Sequence, residues 1–263
     1  LYDRNLSKFT PLARSWSKID YQDLNQMIAY DFNNRDGVPI QAFLTQAKNK
    51  SNKKTIIYPH GGPWARDYWG FEPTAQFLAE NNFNVIQMNI RGSSGYGYEF
   101  GAEVFGNFEE VLEDIYDGIE FFDAEGLIDK NNLCIYGISY GGYAATMAPI
   151  NRPDLFKCAA SDAGLYDMEA QYKRGDIRRS RGGKVFLDRA FKGKNGKLDP
   201  SQSPINRVSE MRVPFFLLHG KKDIRTPYKD AELFMQEMDR NNISYEKMII
   251  TKEEHGFSNE ENR

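Results

Sequence analysis

The chain has 263 residues, 40% of them apolar and 27% charged, which supplies side chains for one large core or two small ones. Its formal net charge of -3 carries no basic excess of the kind that binds nucleic acid or anionic lipid, so neither is expected as a partner. No apolar run approaches the about 18–20 residues that a bilayer span needs, and the opening Leu-Tyr-Asp-Arg-Asn lacks the pattern of a signal peptide. A soluble chain is expected, cytoplasmic or periplasmic, with no membrane partner and with oligomerisation left open.

In chain order, two short apolar stretches within residues 26–44 flank Asn33-Asn34-Arg35-Asp36-Gly37. Asp-Gly between alternating runs predicts an antiparallel hairpin. Residues 48–54 are polar and lysine-rich and read as a loop. Beyond them, short strand-like runs alternate with helical ones. Strands are predicted at 55–58, 84–90, 133–136, 157–161, 214–218 and 246–250. Helices are predicted at 74–80, 109–123, 140–148 and 230–239; the second places Val111, Ile115, Ile119 and Phe122 at three- and four-residue spacing. Such alternation predicts a mostly parallel sheet of six to eight strands with helices on both faces.

Residues 163–204 break the rhythm, being rich in Gly, Arg and Lys, and read as an insertion above the sheet that lines a site at the strand ends. The basic cluster Lys173, Arg174, Arg178, Arg179 and Arg181 within it reads as a solvated loop. Cys134 and Cys158 fall in two of the strand runs and read as free cysteines packed as small hydrophobes.

Chemistry concentrates at Gly137-Ile138-Ser139-Tyr140-Gly141-Gly142, between a predicted strand and a predicted helix. G-x-S-x-G in that setting is the nucleophile elbow, a turn so tight that only glycine fits beside the serine. A serine hydroxyl needs a general base, and the chain has three histidines to offer, His60, His219 and His255. His60 opens the loop His60-Gly61-Gly62-Pro63 and His219 ends a strand, so both read as structural. His255 follows the last strand, where this architecture keeps its base.

Asp223, after the penultimate strand, fits as the acid that orients the imidazole. The order Ser139, Asp223, His255 is that of the α/β-hydrolase fold. An oxyanion hole is expected from the backbone N–H of Tyr140 and that of Gly62. Trp64, Tyr68, Trp69 and Phe71 read equally well as a substrate wall or as packing beneath the loop, and Tyr68 is a weaker candidate for an oxyanion donor. Arg91 reads as an anchor for loops, and Tyr96 and Tyr143 as packing residues.

Several stretches together resemble the catalytic domain of the prolyl oligopeptidase family, in particular its acylaminoacyl-peptidase and dipeptidyl-peptidase-like members. They are Tyr58-Pro59-His60-Gly61-Gly62-Pro63, the run from Asn89 through Arg91-Gly92-Ser93-Ser94 to Gly97, the elbow with Tyr143, Ser203-Pro204-Ile205, and His219-Gly220-Lys221-Lys222-Asp223. The resemblance runs from about Asp36 to Phe257. It implies the triad Ser139, Asp223 and His255, the oxyanion donors Gly62 and Tyr140, and no cofactor or metal.

Residues 1–54 then read as a segment with a hairpin that joins a hydrolase domain at 55–263. Family members usually add an upstream β-propeller and a helix after the histidine loop, so the chain is expected to be a catalytic unit without them. The expected activity is hydrolysis of short or N-blocked peptides. The alternatives are a carboxylesterase with the same triad, acting on small esters, and a non-catalytic hydrolase-fold interaction module.

Overall fold

The computed structural model describes residues 2–10, 19–49, 53–192, 196–257 and 259. Strands β1 (Tyr2–Asp3) and β2 (Lys8–Phe9) form a two-stranded antiparallel ribbon. The expected hairpin is β3 (Met27–Asn33) with β4 (Pro39–Thr45). Asn34 organises its turn: the side-chain Oδ1 accepts from the N–H of Asp36 and of Val38, and the backbone N–H donates to Val38 O. An Asn side chain that substitutes for backbone acceptors is what such a turn requires. The loop predicted at 48–54 lies partly outside the described residues, at 50–52.

Six strands follow: β5 (Thr55–Ile57), β6 (Asn84–Asn89), β7 (Leu133–Ile138), β8 (Cys158–Asp162), β9 (Phe215–Gly220) and β10 (Tyr245–Ile250). With β3 and β4 they make one eight-stranded sheet in the order β10-β9-β8-β7-β5-β6-β4-β3. The hairpin is therefore an edge of the main sheet, antiparallel to β6 through β4, while β5 to β10 pair in parallel. From β5 the chain goes first to one side, to β6, and then returns to the other, to β7. Such a reversal opens a crevice at the carboxyl ends of the two diverging strands. The loops leaving β5 and β7 are the His60–Pro63 stretch and the Ser139 elbow.

The long helices are α1 (Pro73–Glu80), α3 (Glu113–Ala124), α4 (Tyr140–Asn151) and α7 (Tyr228–Arg240), with a short α2 (Tyr98–Ala102). The helix predicted over 109–123 starts as a 3-10 turn, Glu110–Leu112, before α3 takes over. Helix α4 runs past its expected end through Pro149, because every residue from Tyr140 to Ile150 is buried and packing outweighs local preference. α1 packs on β4 and β6, and α4 packs on β7 and β8.

The segment at 163–204 contains α5 (Met168–Arg174), a 3-10 turn Ile177–Arg179 and α6 (Arg181–Phe191). Residues 193–195 of it are outside the described residues. The basic cluster is exposed, as read, but lies on α5, the 3-10 turn and α6 and not in a loop; Arg174 also ion-pairs with the buried Asp230.

The reading of the cysteines is corrected. Cys134 and Cys158 form a disulfide. Cys134 on β7 is the direct cross-strand partner of Cys158 on β8, with Cα atoms 4.8 Å apart, within the range a disulfide bridges. Strand adjacency creates that pairing, and a sequence separation of 24 residues does not reveal it.

Candidate active site

Ser139 sits at the junction of β7 and α4 with φ 62° and ψ -117°, in a region that L-residues rarely adopt. The elbow is held from outside: Ser139 N–H donates to Asp162 O on β8 at 2.9 Å, and Tyr143 N–H donates back to Ser139 O at 3.0 Å. The flanking glycines are obligatory on steric grounds. A Cβ on Gly137 would lie 2.3 Å from the backbone of Gly141, and one on Gly141 would lie 2.2 Å from Pro59 O. The turn thus presents Ser139 at the amino end of α4, where the first backbone N–H groups have no acceptor within the helix.

Asp223, in the loop after β9, is fully buried as a side chain. Its Oδ1 accepts from the backbone N–H of Arg225 and of Thr226, and its Oδ2 from Thr226 Oγ1 at 2.9 Å. His255 Nδ1 completes the set, donating to Oδ2 at 2.8 Å. Burial alone would raise the Asp223 carboxyl. The hydrogen bond and charge of His255, helped by His219 and the Thr226 amide, outweigh it and hold the group below its ordinary value. His255 itself keeps 29% of its side chain exposed. Beside it the buried Glu253 accepts from both the backbone and side-chain nitrogens of Asn259, which ties down the far side of the histidine loop.

Ser139, His255, Tyr140 and Gly62 line one cavity of about 200 Å3. Gly62 has φ 120°, and a Cβ there would lie 2.6 Å from the backbone nitrogens of Trp64 and Ala65. Trp64 lines the cavity and donates its indole N–H to Gly101 O, while Tyr68 and Trp69 are 69% and 67% exposed and belong to the surface. The rest of the wall comes largely from the 163–204 segment, through Leu165, Ile177, Phe186, Leu187 and Phe191.

The other two histidines are engaged elsewhere. His60 has Nδ1 2.7 Å from Gly61 O and Nε2 2.8 Å from Ser93 Oγ, and burial lowers its pKa. His219 is completely buried, donates Nε2–H to Thr226 O at 2.8 Å, and burial likewise lowers its pKa. It props the loop that carries Asp223. Arg91 is buried against Asp114 at 2.9 Å and reaches Asp36 at 2.9 Å, joining the loop after β6 to α3 and to the hairpin turn.

Asp162, at the end of β8, has no counterpart in the sequence reading. It is 2% exposed, and burial pushes its carboxyl up to about 7, with the charge of Asp223 adding to the rise and that of His255 opposing it. Its position at a strand end beside the elbow was the available signal. Gln171 and Thr226, which also line the cavity, carry no motif. Among the described residues no group of His, Cys, Asp and Glu side chains is arranged to hold a metal ion, and no helix is long and apolar enough to cross a membrane.

A buried acid, a histidine bonded to it and a serine on a strained strand–helix turn, all at the carboxyl ends of a mostly parallel sheet, define the serine-hydrolase type of α/β-hydrolase. Residues 69–263 match the model of the prolyl oligopeptidase family, and the chain belongs to that family. It is 26% identical over 287 residues to dipeptidyl aminopeptidase BIII of Pseudoxanthomonas mexicana, covering 99% of this chain and 40% of that protein. It is 27% identical to acylamino-acid-releasing enzyme 2 of Oryza sativa subsp. japonica, covering 76% of this chain and 27% of that enzyme. The acylaminoacyl peptidase of Pyrococcus horikoshii superposes with a TM-score of 0.81 at 25% identity, over 92% of this chain and 39% of that one. An acylaminoacyl peptidase bound to Z-Gly-Gly-Phe-chloromethyl ketone gives 0.79 at 26% identity, over 89% and 38%. The chain thus spans 40% or less of the length of each of these relatives.

Proposed function

We propose that the chain is a serine peptidase that hydrolyses short or N-blocked peptides through an acyl-enzyme on Ser139. The observation that carries this reading is the cavity shared by Ser139 and His255, with His255 bonded to the buried Asp223. Ser139 Oγ attacks the scissile carbonyl while His255 Nε2 takes its proton. The tetrahedral oxyanion is stabilised by the N–H groups of Tyr140 and Gly62. Collapse breaks the C–N bond, and His255 returns the proton to the leaving amine. Water, deprotonated by His255, then attacks the acyl carbonyl and releases Ser139. Asp223 holds Nδ1–H throughout and offsets the charge of the imidazolium.

Peptidase names among the relatives favour peptides over esters as the natural substrate. Within this reading residues 55–263 form the catalytic unit, and residues 1–54 join it through the β3–β4 edge of the sheet.

The test is covalent labelling by a fluorophosphonate with peptide mapping, followed by turnover of peptide anilides beside short-chain p-nitrophenyl esters. Label on Ser139, lost in Ser139→Ala and in His255→Ala, with turnover of the anilides, is expected. A folded chain that takes no label overturns the triad, and label with ester turnover alone overturns the peptidase assignment.

A further inference from the structure

The last residue of β8 and the residue after it each hold a different half of the site. Asp162 O accepts the backbone N–H of Ser139 at 2.9 Å, on the side of the nucleophile. Ala163 O accepts the hydroxyl of Thr226 at 2.9 Å, on the side of the acid and base. Thr226 lies 63 residues further along the chain, in the loop that carries Asp223. Ala163 is completely buried and has φ 46°, in the left-handed region. That conformation costs free energy for any residue but glycine, and it persists where the surrounding structure demands it. The N–H of Ala163 donates to Leu218 O on β9 at 3.0 Å, so both of its backbone polar groups are engaged by the segments that lead to Asp223.

Thr226 Oγ1 stands where three groups meet. It is 2.9 Å from Ala163 O, 2.9 Å from Asp223 Oδ2 and 3.3 Å from His255 Nδ1. A hydroxyl has one proton and two lone pairs. Ala163 O and the ionised Asp223 Oδ2 only accept, so they share that proton, and the carboxylate is the stronger acceptor. A lone pair is left for His255 Nδ1–H, whose main acceptor is Asp223 Oδ2 at 2.8 Å. The backbone of Thr226 is committed as well: its N–H donates to Asp223 Oδ1 at 2.9 Å, and its O accepts from His219 Nε2 at 2.8 Å. The residue is 6% exposed and β-branched, so its side chain has little freedom to turn the hydroxyl elsewhere.

We propose that Thr226 is a positioning residue of the triad: its hydroxyl ties the Asp223 carboxylate to the end of β8, one residue from the carbonyl that holds Ser139, and so sets where His255 stands relative to the nucleophile. This rests on the serine-peptidase reading of the same site. Thr226 acts through Asp223 and His255, and its effect belongs to the step in which the imidazolium forms, not to the binding of substrate.

The experiment measures kcat and KM on a peptide anilide, and the rate of fluorophosphonate labelling, for the wild-type chain and for Thr226→Val, Thr226→Ala and Thr226→Ser, each checked for fold by circular dichroism. Valine keeps the shape and removes the hydroxyl; serine keeps the hydroxyl and removes the methyl. Thr226→Val is expected to lose about tenfold in kcat with KM unchanged, and to label more slowly by a like factor. Thr226→Ser is expected to stay within about twofold of the wild type. Wild-type kcat in Thr226→Val overturns the proposal. An equal loss in the valine and serine variants overturns it too, since packing by the methyl group would then be the cause. So does a raised KM at constant kcat, which would place Thr226 in substrate binding. Should valine prevent folding, Thr226→Ala against Thr226→Ser isolates the hydroxyl: a gap of about tenfold in kcat sustains its role, and no gap removes it. If the wild-type chain takes label on Ser139 but cleaves no anilide, the peptidase reading fails, and the labelling rates of the same variants decide the role of Thr226 alone.

Discussion

His255 Nδ1 stands 2.8 Å from Asp223 Oδ2, and that carboxylate is the end of a fully used hydrogen-bond set. Three other donors, two backbone N–H groups and the Thr226 hydroxyl, already reach Asp223 from its own loop. The acid is therefore rigid, and its geometry is passed to the imidazole. Asp223→Asn keeps the shape but no longer forces the proton onto Nδ1. A fall in kcat of about 10⁴-fold is expected, with KM little changed. Steady-state kinetics on a peptide anilide check it, and a loss under tenfold would remove Asp223 from the triad.

Gly62 is the next test. Its φ of 120° and the 2.6 Å approach of a would-be Cβ to two backbone nitrogens leave no space for a side chain. Gly62→Ala must shift the loop that carries the proposed oxyanion donor. The expected outcome is a loss of about 10²- to 10³-fold in kcat. Fluorophosphonate labelling should slow in parallel, because the phosphonyl oxygen uses the same hole. Unaltered kinetics would place the second donor elsewhere.

Asp162 predicts a pH dependence of stability. Burial raises its carboxyl from the ordinary 3.8 to about 7. Between those values the folded chain keeps a proton that the unfolded chain has released. Stability from this group is thus greatest below about pH 4, declines as pH rises, and levels off above about pH 7. Asp162→Asn mimics the protonated form. Relative to the wild type it should gain more stability at pH 8 than at pH 5, by urea denaturation at both values. An identical difference at the two pH values would show that Asp162 does not titrate in this window.

The Cys134–Cys158 bond closes a loop of sequence separation 24 between neighbouring strands. In the chain-entropy account a loop of that size restricts the unfolded chain by about 3 kcal/mol. Replacing both cysteines by serine should lower the denaturant midpoint by a corresponding amount. The labelling rate of Ser139 should persist below the transition. A midpoint equal to that of the oxidised wild type would show that the bond contributes nothing to folding.

Much of this molecule is legible without coordinates, and the reason is local. Strand and helix runs announce themselves by periodicity, so β5 to β10 and the helices α1, α3, α4 and α7 lie within a few residues of where the apolar pattern places them, whereas α2, α5 and α6 do not stand out in it. The elbow is legible because its glycines answer a steric demand confined to five residues. Asp223 and His255 are legible because each follows a strand in a fixed order along the chain. The aromatic residues after the His60–Pro63 loop read either way in the sequence, and only packing separates Trp64, in the cavity wall, from the exposed Tyr68 and Trp69.

What the sequence by itself determined is the alternating sheet, the strand-end placement of the reactive groups and the chemistry those groups can perform. Tertiary structure alone decided which side chains lose water and which find partners. It joined Cys134 to Cys158 by strand adjacency and buried Asp162 beside the elbow. Periodicity and turn chemistry are set by near neighbours in the chain. Burial and pairing are set by register and by loops that converge from distant positions, and no local pattern records them.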